Sequence, residues 1–323
     1  MRRTRLCLAI IGIGWTGLGC PPASDVPNND SDNAIDPSNP PVSGEWYRPA
    51  VGATWQWQLQ PNQAGAINTS YDVDLYDIDL IESSADLIES LHAQGRRVIC
   101  YFSAGTYEDF RPDAGEFVAA ELGDPLDDFA DERWLDIRSE NVRRIVRERL
   151  ELAVQKGCDC VEPDNVDAYA NESGFPLTAQ DQLDFNRFIA NEARLRGLCV
   201  GLKNDLDQIP ALVAYFDFAV NEQCHEFDEC AALHAFIDAS KPVFNAEYLE
   251  AYVNNPTRQA ALCADAQQLG LHTLVLPLDL DDSFRFSCDP LTTARGLAPR
   301  RGQTGTSDFS EVPHGVGGKT QGQ

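Results

Sequence analysis

Basic side chains are scarce in this chain of 323 residues: 25 Lys and Arg stand against 51 Asp and Glu, a formal charge of −26 at pH 7. So acidic a surface repels phosphate backbones and anionic lipid, which excludes nucleic acid as a partner and favours cationic ligands at low ionic strength. Long apolar runs are missing beyond the first 20 residues, so nothing after them reads as a membrane span. Cofactor signatures are missing as well: no G-x-G-x-x-G follows the first strand pattern, and there is no G-x-x-x-x-G-K-[ST] loop or H-E-x-x-H helix. The five histidines, His92, His225, His234, His272 and His314, fall in helical patterns, loops or the tail. Serine-type and zinc-dependent hydrolysis are therefore weak readings, and no metal and no cofactor are expected.

What is present begins with a leader. Met1 to Arg5 is basic, Leu6 to Gly14 is apolar, and Leu18-Gly19-Cys20 ends the segment in small residues before a cysteine. Residues 1–20 thus read as a signal peptide whose end is similar to a bacterial lipobox, with cleavage before Cys20 and acylation of its thiol. An ordinary signal peptide with an incidental cysteine is the alternative. Removing Arg2, Arg3 and Arg5 leaves 22 basic against 51 acidic side chains, a charge of −29. Residues 21–44, rich in Pro, Asn, Asp and Ser, are expected to be a disordered tether. The protein is accordingly expected in the bacterial cell envelope or secreted, as a monomer that meets a membrane only through Cys20.

Apart from Cys7 and Cys20, eight cysteines remain, an even number that in an exported chain points to disulfides. Only Cys224–Cys230, a short loop closure, stands out as a pair. Cys158-Asp-Cys160 lacks a second Cys pair or a nearby His, which favours a structural role over metal or redox chemistry.

From Trp55 onward short β-rich runs alternate with helical patterns. The runs are 55–59, 73–78, 97–103, 159–163, 198–203, 218–223, 242–247 and 273–278, and the helical patterns span 81–94, 139–156, 178–196, 209–215, 229–240 and 257–269. Several helices run into a capping glycine, such as Gly157 and Gly270. Eight strands in such alternation predict a parallel α/β fold, a (β/α)8 barrel over residues 45–293, followed by a disordered tail over 294–323.

In such a barrel the chemistry sits where strands end. Those ends carry Trp57, Asp77 with Asp79, Tyr101, Glu162 with Asp164 and Asn165, Lys203 with Asn204, Glu222, and Glu247 with Tyr248. Two carboxylates on different strands suit glycoside cleavage, one as proton donor and one as nucleophile or water base, with Trp and Tyr as sugar platforms. Lys203 is the one cation among these acids, a partner for Glu162 or Glu222 that either holds a carboxylate ionised or forms a simple structural pair.

The strings Val98-Ile-Cys-Tyr-Phe-Ser-Ala-Gly105, Trp134-Leu-Asp-Ile-Arg138, Val161-Glu-Pro-Asp-Asn165, Val200-Gly-Leu-Lys-Asn204 and Ala219-Val-Asn-Glu-Gln-Cys224 closely resemble glycoside hydrolase family 114, over about Trp46 to Asp282. The resemblance implies an endo-α-1,4-polygalactosaminidase that cleaves galactosamine-containing polysaccharide with retention. It places the catalytic pair on Asp164, as nucleophile, and Glu222, as acid/base. Glu162 is the reserve for Asp164, and Trp57, Asp77, Tyr101, Glu162, Asn165, Lys203, Asn204 and Glu247 are the expected substrate-binding residues. Cys160 departs from the family's pattern, where Gly is expected. The competing expectation is a carbohydrate-binding lipoprotein with the same barrel and no turnover.

Overall fold

In chain order the strands are β1 (Trp55–Gln58), β2 (Leu75–Asp79), β3 (Arg97–Ser103), the short β4 (Thr106–Glu108), β5 (Leu122–Pro125) and β6 (Glu132–Leu135), then β7 (Cys160–Asp164), β8 (Cys199–Lys203), β9 (Phe218–Glu222), β10 (Val243–Glu247), β11 (His272–Val275) and β12 (Phe286–Ser287). Between them lie α1 (Ala85–Ala93), α2 (Glu140–Lys156), α3 (Ala179–Leu195), α4 (Ile209–Leu212), α5 (His234–Asp238), α6 (Glu250–Val253) and α7 (Pro256–Leu269). The computed structural model describes residues 36–126, 129 and 131–289, all within one unit ending at Asp289. The expected leader, the Cys20 anchor, residues 21–35 of the tether and the tail lie outside the described residues.

All eight expected strands form, and they pair in parallel in the order β1-β2-β3-β7-β8-β9-β10-β11. No ladder joins β11 to β1 among the described residues. Instead β12 runs antiparallel to β11, and Arg285, just before it, reaches Trp55 O at 3.0 Å, while Trp55 Nε1 donates to His272 O at 3.0 Å. Side chains thus complete the (β/α)8 barrel where the backbone ladder stops.

Alternation along each strand splits the core in two. Trp55, Leu75, Ile99, Phe218, Phe244 and Leu274 fill the lumen, while Tyr76, Val98, Val161, Val200 and Val243 pack outward against the helices. The helices obey their end signals. Ser139 caps α2 through Asn141 N, Thr178 closes a capping box with Asp181 on α3, and Gly157 and Gly270 take φ of 86° and 74° as C-caps.

Two features depart from the expectation, and a third bears it out. The connection 104–138 builds a three-stranded antiparallel sheet, β4-β6-β5, which the sequence reading left without elements. Arg111 fastens it to the barrel, gripping Asp79 at 3.1 and 2.7 Å and Glu108 at 2.8 Å, so Asp79 is an anchor and not a mouth residue. Second, the expected tether is shorter at its C-terminal end. Residues 36–44 are held by α3 and its neighbours: Val42 N donates to Asn191 Oδ1 at 2.9 Å and Tyr215 OH to Asn39 O at 2.7 Å. Third, all eight cysteines are paired, as Cys100–Cys158, Cys160–Cys199, Cys224–Cys230 and Cys263–Cys288. Cys224–Cys230 is the pair singled out from spacing. Cys160 sits opposite Cys199 on the neighbouring strand, inside the lumen.

Candidate active site

The strands that carry the acids end abruptly. Pro163 cannot donate to a ladder, and the β7–β8 register stops at Val161↔Val200, so these strands part where their last side chains point inward. The residues just past β7, β8 and β9, namely Asn165, Asn204 and Gln223, turn the chain with φ of 59°, 47° and 61°. Asn tolerates this left-handed region better than most residues, and strain of this kind gathers at working sites.

Asp164, Lys203 and Glu222 meet at this opening. Lys203 Nζ stands 3.1 Å from Asp164 Oδ1, 3.3 Å from Glu222 Oε2 and 3.4 Å from Glu162 Oε1. Burial opposes its charge, but Asp164, Glu222 and Glu162 outweigh that cost and hold the ammonium well above its usual range. Trp57 lies beneath, its ring centroid 4.8 Å from Nζ.

Each carboxylate of the pair has its own donors. Asp164 accepts from Tyr101 OH at 3.0 Å and from Asn165 N at 2.7 Å. Glu222 accepts from Tyr248 OH at 2.5 Å and Asn204 Nδ2 at 3.3 Å, while its own N–H is bound by Asn204 Oδ1 at 3.0 Å. Burial, then the nearby carboxylates, pushes both tyrosine hydroxyls well above their ordinary range, so they remain donors. The side chain of Glu222 is 26% exposed and that of Asp164 17%, against 0% for Glu162. The two acids at the rim can meet a ligand; Glu162 cannot.

The structure therefore sorts the expected site residues. Asp164, Glu222, Lys203, Tyr101 and Asn204 converge. Asp77 and Glu162 lie deeper in the lumen, fully buried. Trp57 is also buried, so it seats the lysine instead of offering a face to a sugar. Asn165 spends its amide on Ser103 Oγ (2.9 Å) and Thr106 Oγ1 (3.2 Å), tying the β3–β4 link to the end of β7. Glu247 is a correction. It lies on the face of β10 opposite Phe244 and Ala246, and its Oε1 accepts from His225 N at 2.9 Å, where it braces the Cys224–Cys230 loop. Tyr248 takes its place at the site.

Sequence reasoning missed further acids beside the mouth. Glu132 on β6 accepts from Thr106 Oγ1 at 2.8 Å and is pushed up to about 7, chiefly by burial. Asp167 is pushed up to about 6 by burial and then by Asp164. Neither lies at a barrel strand end, so strand pattern gives no signal for them.

Two carboxylates from different strands meeting at the mouth of a (β/α)8 barrel suit glycoside cleavage. The family model described as Glycoside-hydrolase family GH114 matches residues 37–293. The chain belongs to this family. It is a glycoside hydrolase. The match begins within residues 36–44, which the sequence pattern assigns to the tether. Among solved structures, Aspergillus fumigatus Ega3, in complex with galactosamine, is 39% identical over 77% of this chain and 99% of its own, with a TM-score of 0.72. The glycoside hydrolase domain of PelA from Pseudomonas aeruginosa shares 16% identity over 71% of this chain and 95% of its own, at a TM-score of 0.53, a likeness of fold alone. Comparison with curated proteins gives no match.

Proposed function

We propose that this GH114 enzyme is an endo-acting hydrolase of α-1,4-linked galactosamine polymers that retains configuration at the anomeric carbon. The observation that carries the reading is the meeting of Asp164 and Glu222, from β7 and β9, on one lysine ammonium. Asp164, held in place by Lys203, Tyr101 OH and Asn165 N, attacks the anomeric carbon as nucleophile. Glu222, the more exposed of the two, in its acid form gives its proton to the departing glycosidic oxygen. It then takes a proton from the water that cleaves the glycosyl ester. The two carboxylate oxygens that flank Nζ are no farther apart than its two contact distances of 3.1 and 3.3 Å together. A spacing of this order admits the ~5–5.5 Å between the carboxyl groups of a retaining pair, and retention is what the family resemblance implies.

The substrate reading rests on charge as well as kinship. A galactosamine polymer is a polycation near neutral pH, and a chain with 51 acidic and 25 basic residues attracts it. Ega3, with galactosamine bound, supports the same sugar here. Four disulfides support export, and the Leu18-Gly19-Cys20 sequence supports a lipid anchor at Cys20.

The test is release of reducing ends from partly deacetylated galactosaminogalactan, compared with fully acetylated and neutral polymers, by the native enzyme, Asp164→Asn and Glu222→Gln. Both variants should fold and lose turnover by orders of magnitude. Native protein that binds the polymer and releases no ends would make this a carbohydrate-binding barrel. Membrane partition of Cys20→Ala tests the anchor: a variant still fully membrane-bound and normally processed would refute it.

A further inference from the structure

Two carboxyls inside the barrel have no part in the reaction above. Asp77 on β2 and Glu162 on β7 project into the lumen below the mouth, each with 0% of its surface exposed. They flank β3, Asp77 level with Ile99 and Glu162 with Tyr101, and their carboxyls are within hydrogen-bonding reach of each other. All four of their oxygens are buried without a hydrogen-bond donor. Lys203 Nζ is 3.4 Å from Glu162 Oε1, but it lies nearer both Asp164 and Glu222. Every element around the pair can be named. β1 contributes Trp57, β3 Tyr101, β7 Asp164, β8 Lys203 and β9 Glu222, and Tyr248 follows β10. β11 and its extension turn Leu274 and Leu276 inward. Tyr101 and Tyr248 have already committed their hydroxyls to Asp164 and Glu222.

Two carboxylates in contact, desolvated and without donors, cannot both be ionised. A single proton between them supplies the missing donor and leaves one negative charge on the pair. We propose that Asp77 and Glu162 share one proton and act as positioning residues, keeping the charge of Lys203 for Asp164 and Glu222. While the pair holds its proton, Glu162 competes weakly for the ammonium. When the proton is lost, a second buried anion appears beside Lys203 and draws it inward, away from the reacting carboxylates. The site then fails on the alkaline side.

The direction of titration agrees with the geometry. Burial pushes Asp77 up to about 7, against the opposing pull of Glu162 and Lys203, and burial and then Asp77 raise Glu162 well above the carboxylate range. Such a pair titrates as a unit.

This inference rests on Asp164 and Glu222 as the reacting pair, and the experiment separates the two ideas. Glu162→Gln keeps the shape and a permanent donor to Asp77 while abolishing the shared proton. Asp77→Asn does the same from the other side, should the first variant fold poorly. The pH dependence of kcat is measured on one galactosamine oligomer for native enzyme and variants, so that the substrate's own amines titrate identically throughout. The alkaline limb should move up by a pH unit or more in the variants, about tenfold more of the plateau rate surviving above it. The infrared difference between native protein and Glu162→Gln near pH 6 should contain a protonated-carboxyl stretch, because the bands of Glu132 and Asp205 cancel between the two. An unmoved limb, or a difference spectrum without that stretch, overturns the shared proton. A folded Glu162→Gln protein inactive at every pH overturns it too, because Glu162 would then belong to the chemistry. Turnover by Asp164→Asn would instead overturn the reaction scheme itself.

Discussion

Lys203 Nζ lies 3.1 Å from Asp164 Oδ1 across the gap between two strands whose ladder has ended three residues earlier on β7. The lysine is 97% buried, being 2–3% exposed, and it is the one cation among four lumen carboxyls. Replacing it with Met leaves those acids unpaired, a change that costs about 3–5 kcal/mol for a buried pair. Lys203→Met should therefore lower the melting temperature and abolish turnover together. A variant with native Tm would show that the carboxyls discharge by protonation instead.

Tyr248 gives a narrower probe. Its hydroxyl is the 2.5 Å donor to Glu222 Oε1, and nothing in the chain order places it in the reaction directly. Tyr248→Phe removes a hydrogen bond to Glu222, worth roughly 1.5–3 kcal/mol in the step where that carboxylate has given up its proton, so kcat should fall about ten- to a hundredfold with KM little changed. Steady-state kinetics on a soluble oligomer decide it; an unaltered kcat sinks the role.

Stability should fall as pH rises from 5 to 9. Asp77 and Glu132 are pushed up to about 7, Asp167 to about 6 and Asp205 to about 9, in each case first by burial. An acid whose folded pKa lies above its unfolded value contributes fully below the unfolded pKa, near 4, and that contribution is lost as pH climbs through the folded value. Thermal melts across the window should show a declining Tm, less steep in Asp205→Asn. A flat or rising Tm contradicts these directions.

Gly105 tests how tightly the mouth is braced. A Cβ there would lie 1.7 Å from Asn165 O, on the residue after Asp164, whereas one at Gly115 meets nothing within 4 Å. Gly105→Ala should cost roughly 1–3 kcal/mol and reduce kcat, with Gly115→Ala near neutral in both. Equal behaviour of the two would mean that the loop yields freely.

Salt should weaken the enzyme on its polymer. Attraction between a polycation and a chain of net charge −26 is screened over about 10 Å at 0.1 M ionic strength, so kcat/KM should drop between low and moderate salt. Constancy across that range would remove steering from the account.

Much of this protein is determined by its sequence alone. Eight β-rich runs with helical patterns and glycine caps between them specify a barrel because each local preference agrees with the same topology. The motifs around Asp164 and Glu222 mark the family because they sit where strands open. Tertiary structure decided what local pattern leaves open. Barrel strands are buried on both faces, so polarity does not reveal their phase, and only packing showed that Tyr248 enters the site while Glu247 turns away. The β4-β6-β5 sheet has strands of three or four residues, too short for periodicity to speak. The strap at 36–44 carries little apolar surface and is ordered by hydrogen bonds to Asn191 and Tyr215 and by the pairing of Asp36 with Arg187. Disulfide partners, and the contact of Asp77 with Glu162 across β3, are matters of distance in space, which strands far apart in the chain acquire only when the barrel assembles.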